Sequence, residues 1–312
     1  MNIAVFGGSG VIGRKLLPQL VARGDSVRAM QHTTPLGLDG VRVVVGSITD
    51  PAAVAETVRG AEVVVQLTKS GGGVDQTVET SVRGTVNILD AVRTEPAVAQ
   101  YLLTSSDAAV GICVRPHPDP IDHRTPPESS GGYYALGKVL EETIVLDYHR
   151  NYGVPYTIAR LSWTQREDTI LRHLIAGYDP AKPLRGAFSS GYTDDQRRRL
   201  KEGGRFVVLP CNTDGEPLGR TLVAHEDVAP ALLAMIGSPA AVSQTFHVSG
   251  PGFSYDVPSR YLGDKLGLPV ENVLVPNEYR FDIDCSHTTD RLGWTPRYDV
   301  IAMIDLALSW RH

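Results

Sequence analysis

The chain has 312 residues, 42% hydrophobic and 21% charged, with a net charge of −5, an ordinary composition for a globular protein with a sizeable core and room for a second lobe. That balance supplies no basic field for nucleic acid or an anionic membrane surface, and no apolar run approaches the ~20 residues needed to span a bilayer. Three widely spaced cysteines, Cys113, Cys211 and Cys285, speak against a disulfide framework and a cysteine metal site and for a cytoplasmic location, and a start directly on a strand leaves no signal peptide expected.

Residues 2–6 (NIAVF) form a short apolar run ending in glycines, expected to be a buried parallel strand. Residues 11–23 place Ile12, Leu16, Leu17 and Leu20 on one helical face and stop at Gly24. Strands are expected at 26–30 and 41–45, and Asp50-Pro51 opens a helix with an N-cap Asp and Pro in the first turn. A fourth strand at 62–67, a helix at 78–92 and a fifth strand at 101–104 ending in Ser105-Ser106 follow. A helix from 134 to about 152 and a sixth strand at 155–161 complete the alternation, which predicts an α/β fold with a doubly wound parallel sheet. From 177 to 205 the chain turns rich in glycine and in basic residues, among them Arg197, Arg198, Arg199, Lys201 and Arg205. This stretch is expected to open a smaller lobe or to form a long loop over the site, the arginine run being a solvated helix face or an anion clamp. Residues 220–224 and 226–236 read as a strand and helix returning to the main sheet, and 262–268, 273–275 and 301–310 as the rest of the second lobe.

Gly7-x-x-Gly10-x-x-Gly13 lies where the first strand turns into the first helix. The first glycine permits a tight turn, the second lets a phosphate approach bare backbone, and the third lets helix and strand pack closely. The N–H groups of Val11 and Ile12 then sit at a helix N-terminus, where donors and dipole favour a pyrophosphate. At the end of the second strand stands Gln31-His32-Thr33-Thr34, with no carboxylate for adenosine ribose hydroxyls. Its absence removes a repulsion against a 2′-phosphate, which His32 and Arg14 are in sequence position to contact, so the string favours NADP over NAD. The plainer alternative is a solvated His32.

Tyr134 and Lys138 are four residues apart, hence on one helix face. A phenol titrates too high to act as a base at neutral pH, and a neighbouring ammonium lowers its pKa. Tyr133 has no lysine four residues on. Ser106, at the C-terminal end of the fifth strand, is placed to hold a substrate oxygen, because ligands of open parallel sheets bind at those ends. The string Arg115-Pro-His117-Pro-Asp-Pro-Ile-Asp122-His123 contains potential metal donors, but its three prolines and its spacing match no standard site; no metal is expected.

Together these pieces resemble the extended short-chain dehydrogenase/reductases of the NAD-dependent epimerase/dehydratase group. The matching strings are residues 7–13, Gly46-Ser-Ile-Thr-Asp50, residues 82–89 (VRGTVNIL), Leu103-Thr-Ser-Ser106, Tyr-Ala-Leu-Gly-Lys at 134–138, and residues 222–228. The resemblance implies a Rossmann sheet with a smaller C-terminal lobe: a dinucleotide-binding domain over 1–162 with the returning pair near 220–236, and a substrate lobe from 163–219 and 237–312. It implies a cofactor site drawn from Gly7, Ser9, Gly10, Val11, Ile12, Gly13, His32, Ser47, Ile48, Leu67, Thr68, Thr104, Tyr134, Lys138 and Leu161. Ser106 would polarise the substrate oxygen, Tyr134 transfer the proton, and Lys138 tune the phenol and bind the nicotinamide ribose. Helices at 78–92 and 135–150 would pair in a homodimer.

The chain departs from that pattern in several places. Ser47 replaces a common Asp, and Gln66-Leu67-Thr68 followed by Lys69 and Gly71-Gly72-Gly73 replaces a His-Leu-Ala-like string. Ser81 stands where Asn is frequent, and Trp163 where nucleotide-sugar enzymes place an Asn. An indole there favours a flatter or more apolar substrate, unless Trp163 is a packing residue between lobes. The expected function is hydride transfer between NAD or NADP and a hydroxyl or carbonyl carbon of a small molecule. The alternatives are an epimerase or dehydratase of a nucleotide sugar that recycles its cofactor, and a non-catalytic NADP-binding sensor.

Overall fold

The computed structural model describes residues 1–71, 73–117, 119–166, 168–276 and 278–310. Gly72 of the 71–73 glycine string and Pro118 of the proline-rich loop lie outside the described residues. The first half alternates strands and helices, with no helix between β2 and β3: β1 (Asn2–Phe6), α1 (Val11–Ala22), β2 (Ser26–Gln31), β3 (Val41–Val45), α2 (Pro51–Val58) and β4 (Val63–Gln66). Next, α3 (Val74–Thr77) runs through a π-helical stretch (Val78–Gly84) into α4 (Thr85–Thr94), followed by β5 (Gln100–Ser106), α5 (Gly132–Tyr152) and β6 (Tyr156–Leu161). The second half holds β7 (Trp163–Gln165), α6 (Thr169–Leu174), β8 (Ile175–Ala176), α7 (Asp194–Lys201), β9 (Phe206–Cys211), β10 (Gly219–Arg220) and β11 (Leu222–Ala224). It closes with α8 (His225–Met235), β12 (Gln244–Val248), β13 (Phe253–Ser254), α9 (Asp256–Leu266), β14 (Val270–Leu274), α10 (Ser286–Leu292) and α11 (Val300–Ser309).

Among the described residues, seven strands form one parallel sheet in the order β12-β6-β5-β4-β1-β2-β3. The apolar runs within β1, β4 and β5 (residues 3–6, 63–65 and 101–103) are explained by this arrangement, because helices cover both faces. One face packs Leu16, Leu17 and Leu20 of α1 with Val228, Leu232 and Met235 of α8. The other packs Val54 and Val58 of α2 with Ile88, Leu89 and Val92 of α4 and Val145 of α5. A second core, around Ile170, Leu171, Phe206, Val207, Leu262 and Ile304, gathers α6, β9, α9 and α11. Asp50 caps α2 through the N–H of Ala52. Among the described residues no helix is long and apolar enough to cross a membrane.

Two expectations are corrected here. The segment at 220–224 does not return to the main sheet: β11 pairs in parallel with β7 in a separate two-stranded sheet. The strand that joins the main sheet is β12, beside β6, within the 237–312 stretch assigned to the second lobe. Gln244, Thr245 and His247 interrupt its apolar character, so periodicity alone did not mark it. The helix expected at 78–92 is longer, and its π stretch passes close to the loop after β3. A Cβ on Gly84 would lie 2.4 Å from Cδ1 of Ile48.

The arginine run of α7 is occupied locally. Arg197 donates to the carbonyls of Tyr192 and Ser189, Arg198 pairs with Asp195, and Arg199 forks onto Glu271 at 2.7 and 2.6 Å. This is a helix face held by ion pairs rather than an anion clamp.

Candidate active site

The C-terminal ends of β1, β4, β5 and β6 open into a cavity of about 760 Å³, in the size range of cofactor and small-molecule sites. One end is the turn between β1 and α1. Gly7 has φ +84°, and a Cβ there would lie 2.9 Å from the Leu67 carbonyl carbon. A Cβ on Gly13 would lie 2.3 Å from Gly8 O, so the turn closes only without side chains. The first intrahelical bond of α1 is Arg14 N to Gly10 O, 3.0 Å, which leaves the N–H groups of Val11, Ile12 and Gly13 without a helical acceptor. No acidic residue stands in the first turn of α1, so its dipole faces the cavity uncompensated. The Thr68 hydroxyl, on a residue that also lines the cavity, is buried without a hydrogen-bond partner among the described residues. A bare anion-binding turn and an orphaned hydroxyl in one cavity are what a dinucleotide would complete.

The other end carries the residues expected to do acid–base work. Tyr134 and Lys138, one turn apart near the start of α5, both line the cavity, with Ser106 from β5. Tyr134 is half-buried, and the exposed Lys69 ammonium lies 5.1 Å from its ring centroid. Lys138 is buried, and its three donors are all engaged: Thr68 O at 3.1 Å, Thr104 O at 2.9 Å and Glu141 Oε2 at 2.8 Å. Burial alone would lower the Lys138 pKa, but Glu141, then Tyr134, hold it above its ordinary value, and the ammonium stays charged. A ribose hydroxyl reaching Lys138 would displace one of the two carbonyls.

Ser106 sits at the end of β5 as expected, with its hydroxyl donating to Asp107 Oδ1 at 3.0 Å and accepting from Ala108 N. Asp107 is the first residue that sequence reading missed. It is buried in the cavity wall, and its other oxygen accepts from Trp163 N at 3.3 Å. Burial pushes its carboxyl from the ordinary 3.8 up to about 6, against the opposing pull of Arg220 and Ser106. Because the folded value exceeds the unfolded one, the stabilising protonation is complete below pH ~4 and lost as pH rises through about 6. Asp107→Asn is therefore expected to flatten the pH dependence of unfolding by ~3 kcal/mol across this window. Parallel urea titrations of both proteins check it, and equal slopes would refute it.

Trp163 lines the cavity, and its ring lies tilted against His173 (4.1 Å between centroids, 36° between planes), with the Arg220 guanidinium 5.1 Å from its ring. Arg220 is tied to Glu278 at 3.2 Å. Burial, then Arg220, lowers the His173 pKa to about 4, which keeps the ring neutral at pH 7. Arg166 and Arg220, like Lys69, line the cavity without having been anticipated.

The remaining expected cofactor residues divide. Leu67, Thr104 and Leu161 line the cavity with the glycines; Thr104 also binds Gln66 O through its hydroxyl. Ser9, His32, Ser47 and Ile48 do not line it. Ser9 offers its carbonyl to Arg14, whose guanidinium also reaches the carbonyls of Pro35 and Leu36, so Arg14 clamps the loop after β2. His32 is exposed. The Ser47 hydroxyl closes a turn with Thr49, 2.8 Å away. Ile48 O is held by Asn87 Nδ2 at 2.9 Å. Among the described residues no group of three or more metal-ligating side chains is gathered.

Residues 3–164, more than half of the chain, match the family described as NAD dependent epimerase/dehydratase. The chain belongs to that family. Within it, the chain is 26% identical over 184 residues to UDP-glucuronic acid decarboxylase 1 of Arabidopsis thaliana, a match spanning 52% of this chain and 39% of that protein. The chain thus matches about two fifths of that relative's length. It is 24% identical to a dTDP-glucose 4,6-dehydratase of Streptomyces antibioticus across 99% of this chain and 92% of that one. In fold it resembles the NAD-bound crystal structure of a short-chain dehydrogenase/reductase superfamily protein from Agrobacterium tumefaciens, with a TM-score of 0.82, 22% identity and coverage of 100% and 97% of the two chains. The epimerase/dehydratase family is NAD-dependent, and the doubly wound sheet is the Rossmann arrangement of these relatives.

Proposed function

We propose that this member of the family is an oxidoreductase that uses a nicotinamide dinucleotide to oxidise or reduce a hydroxyl- or carbonyl-bearing carbon of a small molecule. One observation carries the reading: the α1 turn, Tyr134, Lys138 and Ser106 all face one cavity. The N–H groups of Val11 and Ile12 would hold the pyrophosphate, the Thr68 hydroxyl would bond the ribose–nicotinamide end, and Leu67, Thr104 and Leu161 would wall it. Bound there, the cofactor supplies or accepts the hydride. Tyr134 gives a proton to the substrate oxygen during reduction and takes it during oxidation. Lys138 stabilises the phenolate by its charge. Ser106 swings its hydroxyl from Asp107 to that oxygen, and ionised Asp107 receives it back.

The core assignments follow: residues 1–162 with α8 and β12 carry the cofactor, and the rest of 163–312 carries the substrate, between Trp163, Arg220 and the Ser106 end of β5. A second reading, favoured by Asp107 as a further acid–base group in the cavity, is an epimerase or dehydratase of a sugar nucleotide, as the names of the relatives suggest. For the cofactor, the end of β2 carries no carboxylate against NADP, and Arg14 is committed to carbonyls, so NADH and NADPH are expected to bind within ~10-fold of each other, any preference being for NADPH through His32. Pairing of two copies through α4 and α5 belongs to the same proposal.

Fluorescence titration with NADH and NADPH tests the cofactor statement, and a larger ratio would refute it. The absorption spectrum of the purified protein separates the two enzymatic readings: retained nicotinamide marks internal recycling, whereas turnover that needs added cofactor marks a dehydrogenase. Tight NADPH binding without turnover of any carbonyl, alcohol or nucleotide sugar would replace both with a sensor.

A further inference from the structure

Next to the Tyr134–Lys138 pair lies a carboxylate that the reading above does not use. Glu141 is one turn beyond Lys138 on α5 and fully buried. One oxygen accepts from Lys138 Nζ at 2.8 Å, and the other from Ser81 Oγ at 2.7 Å, across from the π stretch of the neighbouring helix. The close approach of these helices depends on Gly137, where a Cβ would lie 2.7 Å from Ser81 Oγ. A serine at 81 is short enough to leave room for the carboxylate and still donates to it.

We propose that Glu141 is a positioning residue that neutralises Lys138 and holds its ammonium against the Thr68 and Thr104 carbonyls, so that the Tyr134 phenol is less acidic than an unpaired lysine would make it. The proposal rests on the reading of Tyr134 as the acid–base group. An ammonium lowers the pKa of a nearby phenol in proportion to its net field, and a carboxylate bonded to that ammonium reduces that field. The other charges around the trio do not substitute for it. Glu142, next on α5, is spent on Arg160 of β6. Tyr101 of β5 donates to Gln66 and stays protonated, because burial, then Glu141, raises its pKa well above the ordinary value. Asp107 beyond β5 is bonded to Ser106. Lys69 faces the Tyr134 ring from the solvent side, where water screens it.

The test is a pH titration of tyrosinate absorbance on the full chain saturated with NAD⁺. A matching Tyr134→Phe protein is subtracted in each background to isolate one of the 12 tyrosines. Glu141→Gln, which keeps an acceptor for Lys138, is expected to lower the Tyr134 midpoint by ~1 pH unit or more, a tenfold gain in acidity. Ser81→Ala, which weakens the hold on the carboxylate, is expected to lower it by less. An unchanged or higher midpoint in folded Glu141→Gln overturns the proposal. Should that protein not fold, an unchanged or higher midpoint in Ser81→Ala does the same. A merely structural role for Glu141 would alter thermal stability and leave the midpoint in place. Failure of the acid–base reading itself shows differently, as full turnover in Tyr134→Phe.

Discussion

Tyr134→Phe is expected to lose ~10²–10⁴-fold of turnover while NAD affinity stays within a few-fold, because positioned proton transfer is worth that much and the proposed pyrophosphate site lies elsewhere. The change removes one oxygen and leaves the ring under Lys69 and the packing of α5 intact. Lys138 also keeps its three bonds, which run to Thr68, Thr104 and Glu141 rather than to the phenol. A rate loss accompanied by an equal loss of NAD affinity would point to a structural role for the phenol. Steady-state kinetics and NADH titration on the same preparation separate the outcomes.

Glu142→Ala is expected to destabilise the fold by ~3–5 kcal/mol, since it strips the partner from a buried guanidinium. Glu142 is fully buried and Arg160 3% exposed. Arg160 donates from Nε at 3.0 Å and Nη2 at 2.8 Å, while Ser105 donates to the same carboxylate and Arg160 Nη1 holds Thr125 O. The cluster ties α5 to β5 and β6, so it fixes the helix that presents Tyr134 against the strand that presents Ser106. Replacing both charges, as Glu142→Leu with Arg160→Met, is expected to recover most of the loss, because an apolar pair carries no desolvation cost. Urea unfolding monitored by circular dichroism reports both. A loss under ~1 kcal/mol for the single change would show that water or another anion reaches Arg160.

The sheet was legible because its central strands are buried on both faces and therefore read as unbroken apolar runs, as in residues 3–6 and 63–65. The glycine turn and the Tyr134–Lys138 spacing were legible because each depends on local geometry alone. β12 escaped because its polar residues serve long-range partners: His247 lies 3.0 Å from Asp122 O, and Gln244 pairs in register with Thr157. Asp107 and Glu141 escaped for a similar reason. A carboxylate on a strand end or a helix looks solvated in sequence, and only the fold shows that Trp163 and Ser81, 56 and 60 residues away, come to meet them. Ser47 and Ile48 were expected at the cofactor from a matching string, yet their bonds serve the turn before α2 and the contact with α4. Arg14 likewise looked available until the loop after β2 folded onto it.

A crystal structure of the full chain with NAD⁺ tests the central claim most directly. The account predicts the pyrophosphate on the N–H groups of Val11 and Ile12, and a hydroxyl of the nicotinamide ribose within hydrogen-bond reach of the Tyr134 hydroxyl, about 3 Å. A dinucleotide bound away from the α1 turn, or one whose nicotinamide points away from Tyr134, would contradict it.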